Sequence, residues 1–308
     1  MQTEQDFIPP AGSLCDLVTP FVAGRIDEGA IERLVAWQIA SGTAGIAVCA
    51  QAGEPTALSA EERARVLRAA VRAADGRVPV LAGTGTNATD TTIGLTRNAG
   101  ALGAAAAVVT VPYYSKPSPA GIVEHFRRLD AATEIPILVW NAPGQTAVDL
   151  SIDTLARLAE LPSVAGLVDA SGQIEKIAAM PADLRSRLHL YSGHDATALP
   201  YCLAGGRGAL SVAANVVPRD LCALHDALAA KDVACASDIH SRLLPFLTLL
   251  EADSVPVGVK HALHIMFDIP PEVRLPLLEA EAGQRVALAA HVSASPSLGA
   301  ARRSRGRS

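Results

Sequence analysis

Glu54 and Asp169 each follow a short apolar run, one closing Ala50-Gln51-Ala52-Gly53-Glu54 and the other inside Gly166-Leu167-Val168-Asp169-Ala170-Ser171-Gly172. Two carboxylates on one face can divide general acid and general base work if their surroundings push their pKa values apart. The plainer alternative is that both are framework groups tied to backbone or cations. Gly83-Thr84-Gly85-Thr86-Asn87 reads either as a phosphate cradle at a helix start or as a tight strand-to-helix turn. It lacks the third glycine of a dinucleotide fingerprint, which favours the turn and implies no cofactor. His189, His194 and Asp195 invite a metal reading, but a strand between the first and the other two separates them at about 3.3 Å per residue. His261 and His264 lie one helical turn apart without evident Glu or Cys partners, so no metal is expected.

Such groups work only if the fold gathers them at one end. Short β-branched runs at Leu14–Thr19, Gly45–Ala50, Val78–Ala82, Ala106–Val111, Pro136–Trp140, Val164–Asp169, Leu188–Ser192 and Gly208–Val212 predict eight strands. Helical segments separate them, with starts near Asp27, Ser118, Ser151 and Asp195, and a capping box at Ser59-Ala60-Glu61-Glu62. Eight strand-helix units define an α/β chain, either a closed (β/α)8 barrel or an open doubly wound sheet with the same local pattern. Three further helices are predicted near Asp232–Leu250, Val257–Phe267 and Glu272–Ala290. This divides the chain into an N-terminal extension (1–12), the strand-helix units (13–230), a C-terminal helical region (231–292) and a disordered basic tail (293–308) carrying Arg302, Arg303, Arg305 and Arg307.

Charged residues make up 19 % of the 308 residues and the net charge is −5, a balance that favours neither nucleic acid nor a membrane surface. The most apolar stretch, Ala99 to Pro112, is broken by glycines and falls short of the roughly 20 residues of a membrane span. The N-terminus lacks the basic-then-apolar pattern of a secretory signal. Five cysteines, Cys15, Cys49, Cys202, Cys222 and Cys235, lie far apart, as expected of buried free thiols in a reducing cytoplasm. A cytoplasmic protein follows as the expectation.

Several ordered motifs resemble the dihydrodipicolinate synthase and N-acetylneuraminate lyase family. They are Leu17-Val18-Thr19-Pro20-Phe21, Pro112-Tyr113-Tyr114-Ser115-Lys116-Pro117-Ser118, Trp140-Asn141-Ala142-Pro143-Gly144-Gln145-Thr146, Ser192-Gly193-His194-Asp195 and the run from Gly205 to Asn215. The resemblance spans about Leu14 to Leu278 and implies a (β/α)8 TIM barrel with a small C-terminal helical appendage. It also implies lyase chemistry of the aldolase or hydro-lyase type on a 2-oxo acid, through a lysine Schiff base, a relay tyrosine, a hydroxyl and donors for the substrate carboxylate.

At nearly each of those positions this chain departs from the family. Val168 occupies the position of the Schiff-base lysine, and valine has no nitrogen with which to form an imine. Trp140 occupies the relay-tyrosine position, and its indole donates a hydrogen bond without shuttling a proton. Gln51 and Ala52 replace two threonines, and Gln145 replaces an arginine that meets a substrate carboxylate. Gln51, Ala52, Gln145 and Leu210 are the implied substrate-binding positions. Tyr114 is retained, and in the family that side chain crosses a dimer interface, so a homodimer or homotetramer is implied. Of the four lysines, Lys116, Lys176, Lys231 and Lys260, only Lys116 falls in a loop on the implied catalytic face, where a solvated charge is its plainer role. Ordinary pyruvate aldolase activity is therefore expected to be absent. Two functions stay open: a divergent lyase using non-imine chemistry on a small oxo acid or related metabolite, or a catalytically inactive member that binds a small molecule or serves a structural or regulatory role.

Overall fold

The computed structural model describes residues 9–294. Its eight parallel barrel strands are β1 (Gly12–Asp16), β2 (Gly45–Val48), β3 (Val80–Gly83), β4 (Ala106–Thr110), β5 (Ile137–Asn141), β6 (Val164–Asp169), β7 (His189–Ser192) and β8 (Gly208–Ser211). Each pairs with its neighbours in sequence, and β1 pairs with both β2 and β8 through Leu14↔Gly45 and Leu14↔Leu210, which closes the sheet. Closure is the outcome that local pattern alone left open.

Side-chain alternation divides the strands into two surfaces. Leu14, Leu81, Leu138, Trp140, Val168, Tyr191 and Leu210 fill the barrel interior, whereas Val139 and Leu167 pack outward beneath the helices. Glycine is required where strands and turns close tightly. A Cβ on Gly83 would stand 1.9 Å from the Cys49 carbonyl oxygen, and one on Gly85 would stand 2.3 Å from the Thr110 nitrogen.

Helix starts follow their sequence signals. Asp27, Ser118 and Ser151 cap their helices, and Ser59 and Glu62 complete the capping box. Asp195 begins a short 3-10 turn before the helix Ala198–Leu203. In the C-terminal region, helices Val233–Leu250 and Val257–Phe267 form as predicted. The third helix does not begin near Glu272 but runs from Ala282 to Ala294. Residues 269–281 form an irregular strap instead, because Pro270, Pro271 and Pro276 remove backbone donors and restrict φ. The predicted basic tail falls, from residue 295 onward, outside the described residues, as do residues 1–8 of the predicted extension. Pro9 and Pro10 accept hydrogen bonds from the Tyr191 hydroxyl at 2.9 and 2.8 Å, tying the start of the described chain to the barrel interior.

The five cysteines are unpaired; Cys15, Cys49 and Cys222 are buried, Cys202 is half-buried, and Cys235 is exposed, contrary to the expectation of burial. No described helix is long and apolar enough to cross a membrane.

Candidate ligand-binding site

A cavity of about 290 Å³ opens at the C-terminal ends of β2 to β5, the end at which (β/α)8 barrels place their reactive groups. Ala50 and Gln51 follow β2, Gly85 follows β3, Thr110 and Trp140 come from β4 and β5, and Pro276 and Leu277 of the strap form part of the wall.

Val168 is the penultimate residue of β6 and is fully buried. It is the register partner of Trp140 on one side and of Tyr191 on the other. Space around it is closely filled, since a Cβ built on Gly193 would lie 3.0 Å from Val168 Cγ1. Trp140, 2 % exposed, does line the cavity. A bulky indole and a valine thus occupy neighbouring positions on adjacent strands, the two at which the sequence resemblance implied a tyrosine and a lysine.

Of the implied binding positions, Gln51 and Gln145 line the cavity, whereas Ala52 and Leu210 are buried and contribute no lining surface. Tyr114 does not line it either. It is 90 % exposed with φ 69°, and its neighbour Tyr113 lines the wall in its place. Tyr114 stands out in the sequence as the tyrosine that crosses a dimer interface in the resembled family, and in this chain it faces away from the cavity.

Both proposed acid/base carboxylates accept hydrogen bonds from neighbouring groups of the protein. Glu54 reaches the cavity wall, but its Oε1 accepts from Lys260 Nζ at 2.5 Å and its Oε2 from the Arg274 backbone N–H at 2.9 Å. Asp169 does not line the cavity; its Oδ1 accepts from Asn141 Nδ2 at 3.1 Å and from the Ser171 N–H at 2.9 Å. Both act as framework groups.

Two of the four lysines are likewise committed. Lys260 is buried, paired with Glu54, bonded to the Glu272 carbonyl at 2.7 Å and seated 4.2 Å from the Phe21 ring centre. Burial holds its pKa down to about 8 even though Glu54 works in the opposite direction. Lys176 pairs with Asp149, and Lys116 lies in the exposed loop after β4 with φ 47°. None of the four lines the cavity. On the strap, Arg274 does line it, but its guanidinium makes 2.7 and 2.6 Å bonds to both oxygens of Glu62 and stands 4.5 Å from the Phe21 ring centre. That pairing draws the Glu62 carboxyl down to about 2.

One group that the motif reading passed over shapes the loop after β2. Asp16 shares the inward phase of Leu14 on β1 and is fully buried. Its Oδ2 accepts from the Ala52 N–H at 3.0 Å, and Oδ1 finds no partner among the described residues. Burial pushes its pKa up to about 7, with the Ala52 N–H opposing this and repulsion from Asp195 adding to it. A charged residue in the otherwise apolar run Leu14-Cys15-Asp16-Leu17-Val18 was the signal available in the sequence.

Other sequence candidates resolve into framework. Thr84 and Thr86 bond Thr96 and Thr92 through their hydroxyls, and the Thr86 N–H donates to Thr92 Oγ1 at 3.1 Å. The Gly-Thr loop is therefore a turn pinned to the next helix. His189 pairs with Arg207, while His194 contacts Thr197 and lies 3.8 Å from Glu251. His261 and His264 stand 6.1 Å apart between ring centres. No group of three or more metal-ligating side chains occurs among the described residues.

A closed (β/α)8 barrel with a loop-built cavity at its C-terminal end defines the class of protein. The chain belongs to the dihydrodipicolinate synthetase family, whose sequence profile matches residues 9–295. It is 42 % identical over 274 residues to a 4-hydroxy-tetrahydrodipicolinate synthase of Thiobacillus denitrificans, covering 89 % of this chain and 93 % of that one. A synthase of the same name from Thermodesulfovibrio yellowstonii is 39 % identical, covering 87 % and 92 %. Among solved structures, the dihydrodipicolinate synthase of Acinetobacter baumannii complexed with pyruvate superposes with a TM-score of 0.90 at 37 % identity, covering 92 % of this chain and 98 % of that one. That of Thermotoga maritima gives 0.91 at 32 % identity, covering 94 % and 99 %.

Proposed function

We propose that this chain is a small-molecule-binding member of the family that does not form a Schiff base with pyruvate. The observation that carries the reading is the absence of every lysine from the cavity wall, with Val168 and Trp140 packed side by side at the strand ends. Carboxylates that could replace imine chemistry by acid/base work are tied into ion pairs and backbone bonds, so binding is better supported than turnover. A non-imine lyase is the second reading. It is favoured by Tyr113, whose side chain lines the cavity, and by similarity to synthases over most of the chain. Tyr114, almost fully exposed in one protomer, supports assembly into a homodimer or homotetramer.

Intact-mass spectrometry after incubation with pyruvate and borohydride tests the reading, run on the parent and on a W140Y/V168K variant. The expected result is an unmodified parent and an adduct on the double variant. An adduct on the parent would restore the aldolase reading and point to Lys116.

A further inference from the structure

The geometry points to a cavity that selects uncharged ligands, because the charged side chains on its wall, Glu54 and Arg274, are already paired within the protein. This inference rests on the binding reading above and narrows it to a ligand class.

Consecutive backbone N–H groups in a tight turn form an anion cradle when they are free. In the loop beside the cavity, the Ala52 N–H is bonded to Asp16 Oδ2 at 3.0 Å instead. Neighbouring N–H groups are also committed: Gly53 to the Ala50 carbonyl, Thr84 to Val108, Thr86 to Thr92 and Gln145 to Ala142.

Side-chain cations offer no alternative. The Arg274 charge is matched by Glu62 through two bonds and that of Lys260 by Glu54. Arg63 donates to the Pro55 and Gly83 carbonyls at 2.5 and 3.3 Å and does not line the cavity. A carboxylate brought into this space would lose its water without gaining a charged partner, a strongly unfavourable exchange. Asp16, fixed behind the loop, adds like-charge repulsion.

What remains facing the cavity is neutral: the carboxamides of Gln51 and Gln145, the hydroxyls of Thr110 and Tyr113, and apolar surface from Trp140 and Leu277. Carboxamides supply donors and acceptors together. The class that fits is a small neutral molecule of aromatic or amide character, within the limit of the 290 Å³ cavity.

Matched pairs separate charge from shape: benzamide against benzoate and nicotinamide against nicotinate. Binding is followed at mildly alkaline pH by the fluorescence of Trp140 in a W37F background, Trp37 being the chain's second tryptophan. The expected result is amides binding at least about tenfold more tightly than the matched acids, the scale of one charge-assisted contact. Q145R places a guanidinium at an exposed cavity-lining position and should reduce or reverse that preference by roughly tenfold. D16A removes the negative charge behind the loop and frees the Ala52 N–H, and should raise benzoate affinity in the same direction; Q145R keeps the test decisive if D16A fails to fold. Acids binding the parent as tightly as amides would overturn the inference while leaving the binding reading intact. No response to either pair, or to a wider set of neutral and anionic fragments, would overturn both.

Discussion

Trp140 and Val168 are register partners on adjacent strands, both buried in the barrel interior, and the two side chains therefore belong to one packing unit. The indole takes volume that a long lysine chain at position 168 would need, and the two side chains share one buried apolar cluster.

V168K alone should be strongly destabilising, by about 3 kcal/mol or more, because an ammonium would be buried without a partner. Urea unfolding is the measurement, and the W140Y/V168K pair should recover part of the loss by making room. Equal losses in the single and double variants would show that the two positions are not coupled.

Removing one partner of the Glu54–Lys260 pair leaves a buried charge uncompensated. K260M is expected to cost about 3–5 kcal/mol, and E54Q/K260M less than the two single changes combined. A double-mutant cycle by chemical denaturation checks this, with additivity as the contrary result.

Asp16 makes stability pH-dependent in a defined direction. Its folded pKa of about 7 lies above the ordinary 3.8, so its contribution is fully present below about pH 4 and is lost as pH rises through about 7. Asparagine has no such dependence. The stability of D16N relative to the parent should therefore improve steadily across that window, and a flat difference would contradict the assignment. Using the difference matters because buried His125 and His225, held down to about 4 mainly by burial, act in the opposite sense: their contribution falls as pH drops from about 6.5 to about 4.

G83A tests the strand-end geometry. A methyl group there meets the Cys49 carbonyl at 1.9 Å, and backbone on both sides cannot yield cheaply, so a loss of about 3 kcal/mol or more is expected. G94A, on an open helix face with nothing within 4 Å, should instead gain up to about 1 kcal/mol. Thermal melts of the two variants provide the comparison.

Much of the barrel was legible because its strands are continuous β-branched runs, and β6 was placed from Val164 to Asp169 without error. Closure was not legible locally: Leu14 meets Leu210, a pairing that no window of sequence contains. The strap was misread as helix although Pro276 carried the warning. At the site, Val168 and Trp140 stood out as departures from a motif, but the state of Glu54 depended on Lys260, 206 positions away. Asp16 was missed because its partner is the backbone N–H of Ala52, which no side-chain pattern announces.

The bonds from Tyr191 to Pro9 and Pro10 have a practical consequence for immobilisation. These prolines precede β1, at the end of the barrel opposite the cavity, so an N-terminal tether would hold the protein to a biosensor surface with its ligand entrance facing the flow.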